Sequence, residues 1–272
     1  MGTAPPVSGN SSPKAQKFRH PKLKPAERLL RRALPPNQLL KENERVVIGV
    51  SGGADSLCLL LTLVNYNRRQ QLNWQLLPVH IHPGFPEWKT ERIEKICTRL
   101  GLSCIIKQID VPQKLRQTHS ESCFFCARER RKALFQTAAK LGCTKVALGH
   151  HLEDVNETFL LNLLFTASAS TIIPVQPLFN GALTIIRPLY YFTEEMIRSR
   201  LKSAGIRPVR NQCPYQQKSH RLLVRRFLNR LSRQDHRIKT NLFWGIHNLK
   251  FQYLPSKSLV TSKRGADQNQ HP

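Results

Sequence analysis

Residues 46–56 read Val46-Val47-Ile48-Gly49-Val50-Ser51-Gly52-Gly53-Ala54-Asp55-Ser56. The first five are a short apolar, β-branched run, the pattern of a parallel strand buried on both faces. The next six carry two glycines, two serines and an aspartate. Leu57, Leu60 and Leu61 then continue at helical spacing. Strand, Gly-rich loop and helix in that order place unpaired N–H groups and a helix dipole at the loop, which suits a phosphate. Gly52 and Gly53 let the backbone come close to an anion, and Ser51 and Ser56 offer hydroxyls. Asp55 would repel phosphate and is read instead as a holder of Mg²⁺. The six-residue string in this context points to nucleotide binding and not to a plain Ser-capped turn.

Further strands are expected at 76–81, 104–109, 145–148 and 183–186. Helical patterns lie between them at 56–67, 88–100, 124–141 and 154–165. This alternation implies an α/β fold, a Rossmann-like parallel sheet with helices on both faces. After Pro188 the pattern turns helical and basic, from Thr193 to about Asn248. Four segments are expected: a disordered basic arm over 1–24, an α/β nucleotide domain over 25–190, a basic helical segment over 191–254 and a disordered tail over 255–272.

The chain has 272 residues, with 43 Lys and Arg against 17 Asp and Glu, a formal charge of +26. That excess exceeds what solubility requires and predicts a polyanionic partner, nucleic acid first. Apolar residues are 40% of the chain, enough for a real core. No apolar run reaches the roughly 18 residues of a membrane span, and residues 1–25 lack a signal-peptide stretch. A reducing, cytoplasmic setting is therefore expected, so the seven cysteines read as ligands, catalytic thiols or core fillers.

Two further constellations carry chemistry. Leu148-Gly149-His150-His151-Leu152-Glu153-Asp154 ends a predicted strand and enters a helix, so it should share the sheet edge with residues 51–56. His150 and His151 can donate to phosphate or stack on a base, and Glu153 and Asp154 can hold Mg²⁺ or orient a ligand; the plain alternative is a helix start that favours acids, with His151 buried and satisfied. Cys123-Phe124-Phe125-Cys126 opens a helix rich in arginine, a setting that favours thiolates. Alone, CxxC fits redox, zinc or iron–sulfur roles. Cys213, before Pro214, is a third candidate and would make a three-thiolate site with one open position. Zinc with His119 or His220 as the fourth ligand stays open. Cys58, Cys97, Cys104 and Cys143 fall in regular elements and read as core.

Residues 198–240 hold 13 Lys and Arg and one acid, Asp235. Val224, Phe227, Leu228 and Leu231 recur at helical spacing opposite Arg226, Arg230, Arg233 and Arg237. One face is expected to pack on the core while the arginines meet RNA phosphates.

Ser51-Gly52-Gly53-Ala54-Asp55-Ser56 after the first strand resembles the PP-loop of the ATP pyrophosphatase superfamily. With the CxxC, the Gly-His-His motif, the late cysteine, Pro83-Gly84-Phe85-Pro86-Glu87 and Ile186-Arg187-Pro188-Leu189, the chain is similar to the tRNA 2-thiocytidine synthetase branch. Ala54, Glu153 and His80-Ile81-His82 stand where that branch often has Lys, Asp and an acidic residue. The resemblance implies a tRNA sulfurtransferase using ATP, Mg²⁺ and a 4Fe-4S cluster on Cys123, Cys126 and Cys213. It would place ATP on Ser51, Gly52, Gly53, Asp55, Ser56, Gly149, His150 and Asp154, with Asp55 and the three cysteines catalytic. tRNA and a sulfur donor such as a cysteine desulfurase would be the partners, and a homodimer is allowed. The competing readings are a lysidine synthase-like tRNA ligase, which needs no cysteine site, and a non-catalytic RNA-binding protein.

Overall fold

A computed structural model describes residues 25–33, 40–118, 123–209 and 220–254. The expected disordered arm and tail, and Cys213, lie outside those residues. A short helix, α1 (Pro25–Ala33), precedes the first strand, β1 (Arg45–Gly49). Then follow α2 (Ala54–Gln70), β2 (Gln75–His82), α3 (Glu91–Arg99), β3 (Ile105–Gln108), α4 (Val111–Thr118) and α5 (Cys123–Lys140). The second half is β4 (Lys145–Ala147), α6 (Leu152–Thr166), β5 (Val175–Leu178), β6 (Leu183–Ile186), α7 (Glu194–Ser203), α8 (His220–Gln234) and α9 (Ile238–His247).

The six strands run in the order β3-β2-β1-β4-β6-β5. β1 is central and parallel to both neighbours, pairing Val47 with Leu77 on one side and Val146 on the other. Val46, Val47 and Ile48 are fully buried, as expected for a strand covered on both faces. The sheet is not wholly parallel. β5 pairs antiparallel with β6 at the edge, Gln176 opposite Ile185. Pro177 within β5 has no N–H to donate, so this strand can sit only at an edge and reads weakly as a strand in sequence.

The larger core packs α2, α3, α7 and α9 on one face, with Leu57, Leu60, Ile93, Ile197 and Phe243 fully buried. The smaller core lies beneath α5 on the other face, with Leu134 and Ala138 against Val79 and Val146. Cys58, Cys97 and Cys143 are buried in these cores, in keeping with a packing role.

β2 lies on one side of β1 and β4 on the other, so the winding reverses between β1 and β4. Ligands in open α/β sheets bind beyond the strand ends at such a reversal. Residues 51–56 follow β1 and the Gly-His-His loop follows β4, so both motifs meet at this point.

Gly52 has φ +85°, and a Cβ there would fall 2.9 Å from Ile93 Cδ1 and 3.2 Å from Val209 Cβ. The chain after α7 closes over it, with the Val209 amide donating to the Gly52 carbonyl at 2.8 Å. Gly53 differs, with φ −68° and only the Ser51 hydroxyl, at 3.4 Å, near its missing side chain. Gly52→Ala should therefore cost about 1–3 kcal/mol of stability, whereas Gly53→Ala should stay within about 0.5 kcal/mol. Urea unfolding of the two variants measures this difference; equal losses would contradict it.

Candidate active site

The site is a cleft of about 320 Å³ between the loop after β1, the loop after β4, one face of α5 and the start of α8. Ser51, Asp55, Ser56, Gly149, His150 and Asp154 all line it, as do Arg130, Arg131 and Arg221. Six of the sequence candidates thus share one cavity. In sequence Arg130 and Arg131 read only as charges that favour the Cys123–Cys126 thiolates, and Arg221 carries no signal, because nothing in the spacing of α5 or α8 says which helix face meets the cleft.

Gly149 brings the two loops together. A Cβ at this position would lie 2.9 Å from the Asp55 carbonyl carbon and oxygen and 3.1 Å from the Ser56 amide nitrogen. No side chain fits there without moving backbone. The loop 51–56 also closes on itself. Ser56 Oγ donates to the Gly53 carbonyl at 3.0 Å and accepts from the Ser51 amide at 3.1 Å. Ser51 Oγ donates to Ser56 Oγ at 3.1 Å and accepts from the Gly53 amide at 3.3 Å. The two hydroxyls therefore hold the shape of the loop.

His150 and His151 have opposite roles. Buried Arg187 donates from Nε to His150 Nδ1 at 3.2 Å, and from its Nη atoms to the Ile173 carbonyl at 2.6 Å and Gln176 Oε1 at 2.8 Å. An accepting Nδ1 leaves the proton on Nε2, so His150 is a neutral donor. Burial, with the Arg187, Arg221 and Arg131 charges, lowers its pKa to about 4. His151 instead caps α6. Its amide donates to Asp154 Oδ2 at 3.0 Å and its Nδ1 meets the same oxygen at 2.6 Å. Burial opposes its charge, but the Asp154 carboxylate, with Asp55 and Glu153, overrides this and pushes it up to about 9.

The acidic pair is engaged within the protein. Glu153 accepts from the Glu194 amide at 3.1 Å and so caps α7. Asp154 binds protonated His151 and the Arg221 guanidinium. Burial would raise its pKa, yet these cations hold it well below the usual carboxylate range. Glu157 on α6 is bound by Arg221 at 2.8 Å and Arg225 at 2.6 Å. Two carboxylates of α6 thus anchor the basic helix α8. Asp55 is different. Among the described residues no hydrogen bond or ion pair reaches its carboxylate, and burial raises its pKa. Of these carboxylates, Asp55 is the one without a protein partner among the described residues.

His80, in the place of an acidic residue, is fully buried. Its Nδ1 lies 2.7 Å from the Val50 carbonyl, and the Trp88 indole donates to its Nε2 at 3.1 Å. The proton therefore sits on Nδ1 and ties Val50, just before the loop, to the Pro83–Trp88 segment. Arg130 lies over the Trp88 ring at 5.4 Å. Gly84 in that segment has φ +94°, and a Cβ there would come 2.7 Å from the Ile109 carbonyl, which explains the glycine of Pro83-Gly84-Phe85.

Cys123 opens α5, and Cys126 is half-buried against Phe85, Val111 and Leu115. Ala127, the next residue, lines the cleft. Cys213 lies outside the described residues, but both ends of its segment are at the site: Val209 bonds to Gly52, and Arg221 lines the cleft. His220 stacks on Phe165 at 4.3 Å.

On α8 Val224 and Leu228 are buried, while Phe227 is 51% exposed and does not join the core. Arg226, Arg230 and Arg233 are exposed. Arg237 does not extend their stripe. It lies beyond the helix end and its Nη2 is 2.9 Å from Asp235 Oδ2.

These histidines set a pH dependence. His151, protonated up to about pH 9, contributes stability that is complete below its ordinary value of 6.5 and is lost as pH rises through 9. His150 and His80, neutral down to about pH 4, contribute stability present above 6.5 and lost as pH falls through 4. Unfolding free energy should therefore peak near neutrality. His151→Gln should flatten the alkaline limb by on the order of 3 kcal/mol. An unchanged limb in urea titrations from pH 6.5 to 9 would contradict the assignment.

Residues 23–231 match the family described as PP-loop domain. The tRNA-cytidine(32) 2-sulfurtransferase of Syntrophotalea carbinolica is 32% identical over 239 residues, covering 86% of this chain and 92% of that protein. Its counterpart in Pelobacter propionicus is 33% identical over 226 residues, covering 81% and 84%. In fold, the chain is similar to the U34-tRNA thiolase NcsA from Methanococcus maripaludis, solved with its 4Fe-4S cluster, at TM-score 0.68 and 21% identity over 85% of this chain and 80% of that one. With the loop 51–56, the Gly-His-His loop and the sheet reversal in place, the chain belongs to the PP-loop family, in its tRNA 2-thiocytidine synthetase branch.

Proposed function

We propose that this chain is an ATP-dependent tRNA 2-thiolase acting on cytidine 32, the nucleoside named for its relatives in Syntrophotalea and Pelobacter. The observation that carries the reading is the shared cleft. Asp55 and the α2 N-terminus lie on one wall, and α5, with Ala127 directly after Cys126, forms another. A hard phosphate site and a soft thiolate motif thus stand at one sheet edge.

ATP phosphates are received by the amides at the start of α2, with Mg²⁺ on Asp55. His150 donates from Nε2, and Arg130, Arg131 and Arg221 face the charge that develops on pyrophosphate. The cytosine O2 attacks the α-phosphorus and pyrophosphate leaves. Sulfide then attacks C2, and AMP departs with the former base oxygen.

The thiol donor set suits an iron–sulfur cluster, and half-buried Cys126 among Phe85, Val111 and Leu115 offers the dry setting it requires. Cys123, Cys126 and Cys213 would hold a 4Fe-4S cluster, which would supply the sulfide that replaces the base oxygen. Cys213 is four residues past Val209, whose amide is bound to Gly52, so it can reach the cleft. A cysteine desulfurase supplies the sulfur, and the exposed arginines of α8 contact tRNA phosphates. The setting is cytoplasmic; among the described residues no helix is long and apolar enough to cross a membrane. A homodimer fits the exposed apolar side chains of Leu164 and Phe227 on α6 and α8.

Asp55→Ala should abolish tRNA-dependent pyrophosphate release from ATP while the fold persists; unchanged release would remove the mechanism. Anaerobic purification should yield about four irons per chain, lost in Cys126→Ser but kept in Cys143→Ser. One zinc and no iron would overturn the cluster and leave sulfur delivery to an external persulfide. Full activity of Cys126→Ser would favour the lysidine synthase-like reading.

A further inference from the structure

A second cavity, of about 550 Å³, lies along α5 beside the turn that joins β5 to β6. Arg128, Arg131 and Lys132 rim it, and Phe135 and Phe179 supply aromatic walls. Among the described residues no carboxylate lines it. The α5 residues recur at 128, 131, 132, 135 and 136, one face of the helix. Arg131 lines both this cavity and the cleft at the sheet edge, so the two are neighbours.

Phe179 is the unusual member. It is 68% exposed and has φ +52°, a left-handed conformation costly for a bulky side chain. Asn180 and Gly181 beside it also have positive φ, but those residue types tolerate it. Its ring meets Phe135 edge-on, with centroids 6.3 Å apart, leaving a face open. Strained residues of this kind cluster at ligand clamps and switch regions.

We infer that this groove binds an unpaired nucleotide of the tRNA substrate, with the base stacked on Phe179 and its phosphates against Arg128 and Lys132. The inference rests on the tRNA reading above and adds a binding position to it. Charge selects the occupant. In a two-fold contact between copies, each patch of three cations would face a like patch, which disfavours a second chain. A polyanion with flat, apolar bases matches both the rim and the walls.

Fluorescence anisotropy with labelled, unmodified tRNA tests this, with ATP affinity as the control. Phe179→Ala should weaken tRNA binding about tenfold, the size of one lost base–aromatic stack, without changing the salt slope or ATP affinity. Phe179→Trp should stay within about twofold, because the stacking face is kept. Phe179→Gly should lose tRNA affinity while its Tm equals or exceeds the native value, since glycine relieves the backbone. Lys132→Ala should reduce the salt slope by about one. Native tRNA affinity in Phe179→Ala, with native ATP affinity, would overturn the groove and leave the thiolase reading intact. A change from dimer to monomer in Phe179→Ala by light scattering, with tRNA affinity unchanged, would overturn it in favour of a protein interface. Failure of the native chain to bind tRNA would overturn both.

Discussion

The site depends on the absence of a side chain at Gly149. With a would-be Cβ 2.9 Å from the Asp55 carbonyl, the loop after β4 rests on the backbone that opens α2. That contact sets the spacing between the phosphate loop and His150, and so between a helix N-terminus and a neutral imidazole donor. Packing directs the rest. His151 follows and must cap α6, which sends Asp154 and Glu157 toward α8. Arg187 follows β6 and reaches His150, so a third strand end contributes to the same edge.

Charge is arranged around the cleft with one sign outside and pairs inside. Apart from Asp55, the acids near it are committed: Glu153 to the start of α7, Asp154 to His151 and Arg221, Glu157 to Arg221 and Arg225. Buried pairs of this kind are costly to break from one side, because the partner charge is left without compensation. They therefore specify where α8 docks more than they raise net stability. The arginines facing outward remain available, which is how a chain of net charge +26 keeps a defined cleft while presenting a cationic surface to a polyanion.

The parallel centre of the sheet was legible because β1, α2 and the loop between them agree in pattern, and the Gly-His-His motif declares a second strand end. The β5–β6 hairpin was harder to read. Pro177 breaks the strand pattern of β5, so Asn180-Gly181, a hairpin signal in itself, has no clear strand before it. Within α8 the arginines divide into two sets. Arg221 and Arg225, four apart, turn to acids on α6, whereas Arg226, Arg230 and Arg233 turn outward. Periodicity locates a stripe but does not name the element opposite it, and the partner acids lie more than 60 residues away in sequence. The same reason hid Arg187, whose role as support for His150 exists only across two strands. His80 reads as a departure in sequence, yet its two ring nitrogens bridge Val50 and Trp88, a structural use that needs the β1–β2 pairing to be seen.

Mass spectrometry of tRNA nucleosides from cells lacking this chain tests the central claim most directly. The account predicts that 2-thiocytidine disappears, and that it returns with the native chain but not with Asp55→Ala. Unchanged 2-thiocytidine in those cells, or loss of lysidine in its place, would contradict it.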